Sequence, residues 1–190
     1  MNRSFLFLAE GFEEIEALAT VDVLRRAGMD IKTVSITDKR EVAGAHGIVV
    51  TSDMTFAEAD FAGAEWLIVP GGMPGASNLA AFEPLCELLK AHEGKIAAIC
   101  AAPAVVLAPL GLLDGLKATC YPGFEEALAA GGAEKTDVRV EVTERIITAN
   151  GPSSALPFAL AIVAASLGES VAQEVGAGML LYPGKMEYYF

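Results

Sequence analysis

The chain has 190 residues, enough for one domain with a substantial core and tight for two. With 53% hydrophobic and 20% charged residues, its composition is that of a globular protein and not of a disordered one. A formal net charge of −12 weighs against binding nucleic acid through its phosphates, which would repel it.

The elements follow in order. Met1-Asn2-Arg3-Ser4 runs straight into the apolar segment Phe5 to Ala9, which has the length of a buried strand and no small-residue cleavage site. Glu13 to Ala27 has helical character and is closed by Gly28. Ile31 to Ile36 forms the next strand, and "REVAGAHGIVVTSD" suggests a small hairpin through Gly47 to Thr51. Trp66 to Pro70 is a further buried strand followed by the glycine-rich turn "GGMPGASN". Phe82 to His92 is helical, Ile96 to Ile99 a strand, and Ala101 to Leu110 a helix. In "DVRVEVTERIITAN", Val138, Val140 and Val142 alternate with charged residues, the pattern of a half-exposed antiparallel pair. Pro152 opens a long helix with Pro157 in its first turns, where a missing N–H is tolerated, and a last helix runs from Ser170 to Leu180.

Short, continuously apolar strands separated by helices specify an α/β fold: a doubly wound, mostly parallel sheet with helices on both faces, in one domain over residues 1–190. No apolar run reaches the ~18 residues of a membrane helix without Gly, Pro or a charge interrupting it. With no leader in view, a cytoplasmic location away from membranes is expected. Cys86, Cys100 and Cys120 are an odd, scattered set, which argues against a disulfide framework and against a structural zinc site. Free thiols follow, and no metal or organic cofactor is expected. GxGxxG and GxxxxGK[ST] are both absent, which leaves dinucleotide and phosphate-loop sites without support.

Ligands of such sheets bind beyond the carboxyl ends of the strands. Three of these ends carry chemistry. In "KIAAICAAP", Cys100 sits between a buried strand and a helix, with Ala98, Ala101 and Ala102 leaving room for a sharp turn, the layout of a nucleophile elbow. The helix N-terminus that follows favours a thiolate. A small buried apolar residue would give the same pattern, and spacing alone leaves both readings open. Gly71-Gly72 lets the backbone approach a ligand and point N–H groups at an anion, or simply forms a βα turn. Glu13, Glu14 and Glu16 open the first helix, where acids complement the dipole. Glu16 alone shares a stripe with Ala19, Thr20 and Val23, towards the apolar side, where burial raises a carboxyl pKa. Cys86 reads as core packing, Cys120 is ambiguous, His92 reads as solvated, and His46 reads as a loop histidine that could face a site.

Together the stretches "AEGFEEIEA", "VDVLRRAGM", "LIVPGGMPGASNL", "IAAICAAP", "NGPSSALPFALAIV" and "MEYYF" resemble the ThiJ/PfpI superfamily over the whole chain, in the branch that holds the parkinsonism-associated deglycase and YajL-like bacterial members. The resemblance implies a flavodoxin-like fold of the class I glutamine amidotransferase-like kind and a homodimer. It implies that Cys100 is the nucleophile, that Glu16 is the protonated carboxyl contacting it, and that Gly72 and Ala101 are N–H donors to an oxyanion. Gly71 would shape the turn and Pro152 would line the site. Where family members often carry a histidine in a T-H-P segment, this chain has Cys120-Tyr121-Pro122, so Tyr121 takes that place; an arginine position of relatives aligns with His46. A Cys–His dyad of the protease or amidotransferase kind is therefore disfavoured. A role in thiazole phosphate synthesis, a label the family also carries, lacks a phosphate site. What the residues and the resemblance jointly support is thiolate chemistry on a small aldehyde or glycated adduct, with a redox sensor or redox-regulated chaperone as the rival.

Overall fold

The computed structural model describes residues 3–181. In chain order it comprises β1 (Ser4–Leu8), α1 (Glu14–Arg26), β2 (Ile31–Ser35), β3 (Glu41–Ala43), β4 (Val49–Thr51), β5 (Met54–Thr55), β6 (Trp66–Val69), α2 (Gly75–Ala81), α3 (Glu83–Ala91) and β7 (Lys95–Ile99). There follow a π-helical turn at Pro103–Leu107, β8 (Lys117–Ala118), α4 (Glu125–Ala130), β9 (Glu134–Lys135), β10 (Val140–Val142), β11 (Ile146–Ala149), α5 (Ala155–Leu167) and α6 (Glu169–Gly178).

Seven strands form one sheet in the order β10-β11-β7-β6-β1-β2-β5, parallel throughout except for the antiparallel β10–β11 pair at one edge. The continuous apolar runs are explained by burial on both faces. Leu6, Leu8, Ile68, Ala97 and Ile99 point into one core against α1 and α5. Their alternating neighbours Phe5, Phe7, Leu67, Val69, Ile96 and Ala98 point into a second core with Leu79, Leu85 and Leu89 of α2 and α3. The fold is the flavodoxin-like α/β arrangement. The β3–β4 hairpin pairs Val42 with Val50 and docks on the start of α1 through the Ala45 N–H, which donates to the Phe12 carbonyl at 2.8 Å.

Several segments differ from the sequence expectation. "GGMPGASN" does not remain a turn, because its second half enters α2; Gly75 opens that helix where an added Cβ would lie 2.6 Å from the Gly11 carbonyl oxygen. The helix expected from Ala101 to Leu110 is a widened π turn that tightens into a 3-10 turn at Ala108–Leu110. Pro109 brings no N–H to continue the α ladder, and the Ala108 N–H bonds back to the Pro103 carbonyl, five residues earlier. α4 and the short β5, β8 and β9 were not anticipated. The chain from Tyr182 on, including "MEYYF", lies outside the described residues.

Candidate active site

Glu16 lies in the first turn of α1. Glu13 caps that helix, its Oε2 accepting the Glu16 N–H at 2.7 Å. The stripe seen in the sequence turns Glu16 inward: its residue exposure is 0%, as is that of Thr20 and Val23. Glu16 Oε2 accepts the Gly71 N–H at 2.8 Å, while Oε1 is buried without a hydrogen-bond partner of good geometry among the described residues. A neutral carboxyl tolerates such an orphaned oxygen far better than a carboxylate does.

Cys100 follows β7 directly, with φ at +66°. A side chain in this left-handed conformation costs roughly 1–2 kcal/mol, so the surrounding structure must impose it. Its N–H donates to the Ala149 carbonyl at 2.8 Å, extending the β7–β11 ladder, and its carbonyl accepts the Tyr121 N–H at 2.8 Å. The Tyr121 segment is itself fixed to β11 by the Thr119 N–H, which donates to Thr148 Oγ1 at 3.0 Å. The thiol is nearly enclosed, the residue retaining 8% exposure.

The two glycines after β6 complete the turn. Gly72 has φ at +90°, and a Cβ on it would lie 2.4 Å from the Glu13 nitrogen. A Cβ on Gly71 would lie 2.5 Å from Cys100 Cβ and 2.7 Å from Glu16 Oε2, so only glycine lets carboxyl and thiol meet. The backbone N–H groups of Gly72 and Ala101 both pull the thiol pKa down, as donors that favour an ionised sulfur do.

These contacts set the titration. Burial raises the Glu16 carboxyl to about 7, against the opposing pull of its hydrogen bonds with Cys100 and Gly71. Burial, then the charge and hydrogen bond of Glu16, push the Cys100 thiol up to about 12, with the two backbone N–H groups pulling the other way. The helix terminus therefore does not by itself produce the depressed thiol pKa expected from the sequence, because desolvation outweighs it. Glu16 and Cys100 titrate as a pair. When Glu16 is protonated its charge disappears and its O–H becomes a donor, so a proton on Glu16 is the condition under which the sulfur ionises.

Tyr121 is an exposed rim residue whose ring covers Gly151; a Cβ on Gly151 would lie 3.1 Å from the ring. Pro152 stands next in the chain, half-buried, at the head of a 3-10 turn. His46 is drawn instead to Glu14. Its N–H and Nδ1 each lie 2.7 Å from one of the two Glu14 oxygens, and the carboxylate raises its pKa. Its ring stays 70% exposed. The sequence reading missed this pairing across 32 residues, having treated Glu14 only as a dipole partner. Glu13, Glu14 and His46 form a set with ligand atoms within 4.8 Å of one another, the one metal-capable cluster among the described residues, but its oxygens are already engaged by His46 and by the helix cap. His92 precedes β7, at the end of the sheet opposite Cys100; it is half-buried with Nε2 enclosed, not solvated as expected. No imidazole is thus placed as a base for Cys100. Cys86 is half-buried, its thiol donating to the Ala80 carbonyl, and burial pushes Cys120 up to about 11.

The model of the DJ-1/PfpI family matches residues 2–165. Protein DJ-1 homolog B of Arabidopsis thaliana is 36% identical over 185 residues, covering 96% of this chain and 42% of its own length. The chain spans less than half the length of the Arabidopsis relatives it matches. The Parkinson disease protein 7 homolog of Danio rerio is 35% identical over 95% of this chain and 97% of its own. The glutathione-independent glyoxalase DJR-1.2 of Caenorhabditis elegans is 36% identical over 81% of this chain and 82% of its own. The oxidized DJ-1 structure of Toxoplasma gondii superimposes with a TM-score of 0.89 at 36% identity, covering 95% of this chain and 98% of that one. The chain belongs to the DJ-1/PfpI family.

Proposed function

We propose that the chain is a cofactor-independent enzyme acting on small reactive carbonyls through Cys100. The observation that carries this reading is the wholly buried Glu16 carboxyl, whose Oε2 accepts the Gly71 N–H at 2.8 Å where Gly71 packs against Cys100, and which burial raises to about 7. A base with a pKa near neutrality is suited to moving protons at physiological pH. The name of the nematode relative, a glutathione-independent glyoxalase, supports the choice of substrate class.

On methylglyoxal the sequence of steps would be as follows. The Cys100 sulfur adds to the aldehyde carbon, its proton passes to the carbonyl oxygen by way of Glu16, and a hemithioacetal forms. The N–H groups of Gly72 and Ala101 stabilise the developing oxyanion, each donor of this kind being worth about 3 kcal/mol. Glu16 then takes the C1 proton and returns a proton to C2, converting hemithioacetal to thioester through an enediol. Water cleaves the S–C bond and releases lactate and the free thiol. Adding to a glycated adduct and releasing the amine would use the same groups.

A second reading, oxidation of Cys100 in a redox-sensing or chaperone role, is favoured by the same neutral carboxyl, which could donate to a sulfinate oxygen. Methylglyoxal turnover by wild type beside Cys100→Ser tests the first reading: activity lost in the variant supports it, and activity retained excludes it. Intact-mass measurement under peroxide tests the second, which requires two oxygens added at Cys100 before Cys86 or Cys120 reacts.

The proposal extends to a homodimer. Ile15 and Leu18 of α1 and Ile48 and Val49 on the docked hairpin are exposed large apolar residues on adjoining elements, a patch suited to a second copy of the chain.

A further inference from the structure

Arg139 lies outside everything assigned above, beside the turn that follows β11. It stands just before β10 at the sheet edge, and its carbonyl accepts the Asn150 N–H at 3.1 Å, which puts it opposite the turn after β11. Its guanidinium reaches into that turn. Nε donates to Ser154 Oγ at 3.2 Å and Nη2 donates to the Ser153 carbonyl. Ser154, wholly buried, in turn donates to Asn150 Oδ1 at 2.7 Å, and its N–H bonds the Gly151 carbonyl at 2.8 Å. Both acceptors of the guanidinium are neutral. The contact therefore fixes geometry through the planar fork of the arginine and is not an ion pair.

What the fork fixes is the Asn150 to Ser154 turn, and this turn carries Gly151 against the Tyr121 ring and Pro152 beside it. Tyr121 in turn is bonded through its N–H to the Cys100 carbonyl. We propose that Arg139 is a positioning residue: by locking the 150–154 turn it holds the Tyr121 ring at the rim and so sets the width of the opening to Cys100, and with it the size of substrate admitted. The proposal rests on Cys100 being the reacting atom and not on which carbonyl it attacks.

The test is the alkylation rate of Cys100 by a small reagent, iodoacetamide, and by a bulky one, monobromobimane, followed by site-resolved mass spectrometry. It is run on wild type, Arg139→Ala, Arg139→Lys, Tyr121→Ala and the Tyr121→Ala/Arg139→Ala double variant. With the turn released, the ratio of bulky to small reagent rates should rise by about tenfold in Arg139→Ala, with a smaller rise in Arg139→Lys, whose ammonium cannot span both acceptors. In the Tyr121→Ala background Arg139→Ala should add no further change. An unchanged ratio in folded Arg139→Ala, or a lowered melting temperature with the ratio unmoved, would overturn the proposal, as would a full additional effect in the double variant. If Arg139→Ala does not fold, Arg139→Gln carries the same comparison. Alkylation needs no carbonyl substrate, so the result stands whether or not methylglyoxal is turned over.

Discussion

Gly71 donates its N–H to Glu16 Oε2 at 2.8 Å, and a methyl group on its Cα would sit 2.7 Å from that same oxygen and 2.5 Å from Cys100 Cβ. The contact between acid and thiol thus depends on an absent side chain. The two neighbouring glycines should respond differently to alanine. Gly71→Ala keeps an ordinary backbone conformation but wedges the pair apart, so carbonyl turnover should fall by roughly a hundredfold, the scale of a lost catalytic contact. Gly72→Ala adds a strained φ and a clash with the Glu13 and Gly11 backbone, so it should lose more stability than Gly71→Ala, by at least about 1 kcal/mol. Steady-state rates beside urea melts of both variants check the order.

The raised Glu16 pKa has a thermodynamic sign. With a folded value of about 7 against the ordinary carboxyl value of 4.5, the native state binds more protons than the unfolded state across that window. Stability therefore falls as pH rises from 4.5 towards 7, and the penalty is complete above it, up to about 3 kcal/mol for this fully buried group. Glu16→Gln should accordingly gain on wild type as pH goes from 4.5 to 8 while losing carbonyl turnover. Urea unfolding of both proteins at the two pH values measures the gain, and a constant difference between them would contradict the assignment.

Cys100 pays for its position in backbone strain at φ +66°. Removing the thiol and relieving the strain are separable. Cys100→Gly should be more stable than Cys100→Ala by about 1 kcal/mol, the reverse of the usual cost of glycine, because only glycine occupies this conformation freely. Denaturant midpoints of the two variants give the difference.

Tyr121 contacts Cys100 through its main-chain N–H. Loss of the hydroxyl alone should leave the site intact, so Tyr121→Phe should keep turnover within about twofold of wild type, while Tyr121→Pro, which removes that N–H, should displace the Cys100 turn and abolish it. Matched kinetics on the two variants tell backbone from side-chain roles.

The apolar patch of Ile15, Leu18, Ile48 and Val49 predicts the oligomeric state. Wild type should elute and scatter light as a dimer at low micromolar concentration. Leu18→Glu, a charge introduced at an already exposed position, should give a folded monomer. A wild-type monomer would remove the dimer from the proposal.

Much of the architecture was legible because burial on both faces leaves an unmistakable trace: strands such as Phe5 to Leu8 and Trp66 to Val69 cannot be anything but interior. The inward stripe of Glu16 and the small residues around Cys100 could be read for the same reason, since helical and strand periods are local properties. What escaped the sequence is what only tertiary contact decides. Glu14 takes its histidine from 32 residues away, and Arg139 reaches Ser153 and Ser154 from across the edge pair. The π turn after Cys100 rests on the Ala108 N–H reaching back to the Pro103 carbonyl, a bond that periodicity does not register. The thiol's high pKa reflects how completely the fold covers it, and composition carries no measure of cover.

The N–H groups that favour an ionised atom at position 100 belong to the main chain of Gly72 and Ala101, and the bend at 100 itself is held by main-chain bonds to Ala149 and Tyr121. The socket is thus independent of the atom seated in it. Selenocysteine at this position would meet the same amides and the same carboxyl, while ionising far more readily than sulfur, which makes the site a ready-made holder for selenium chemistry and an obvious starting point for redesign.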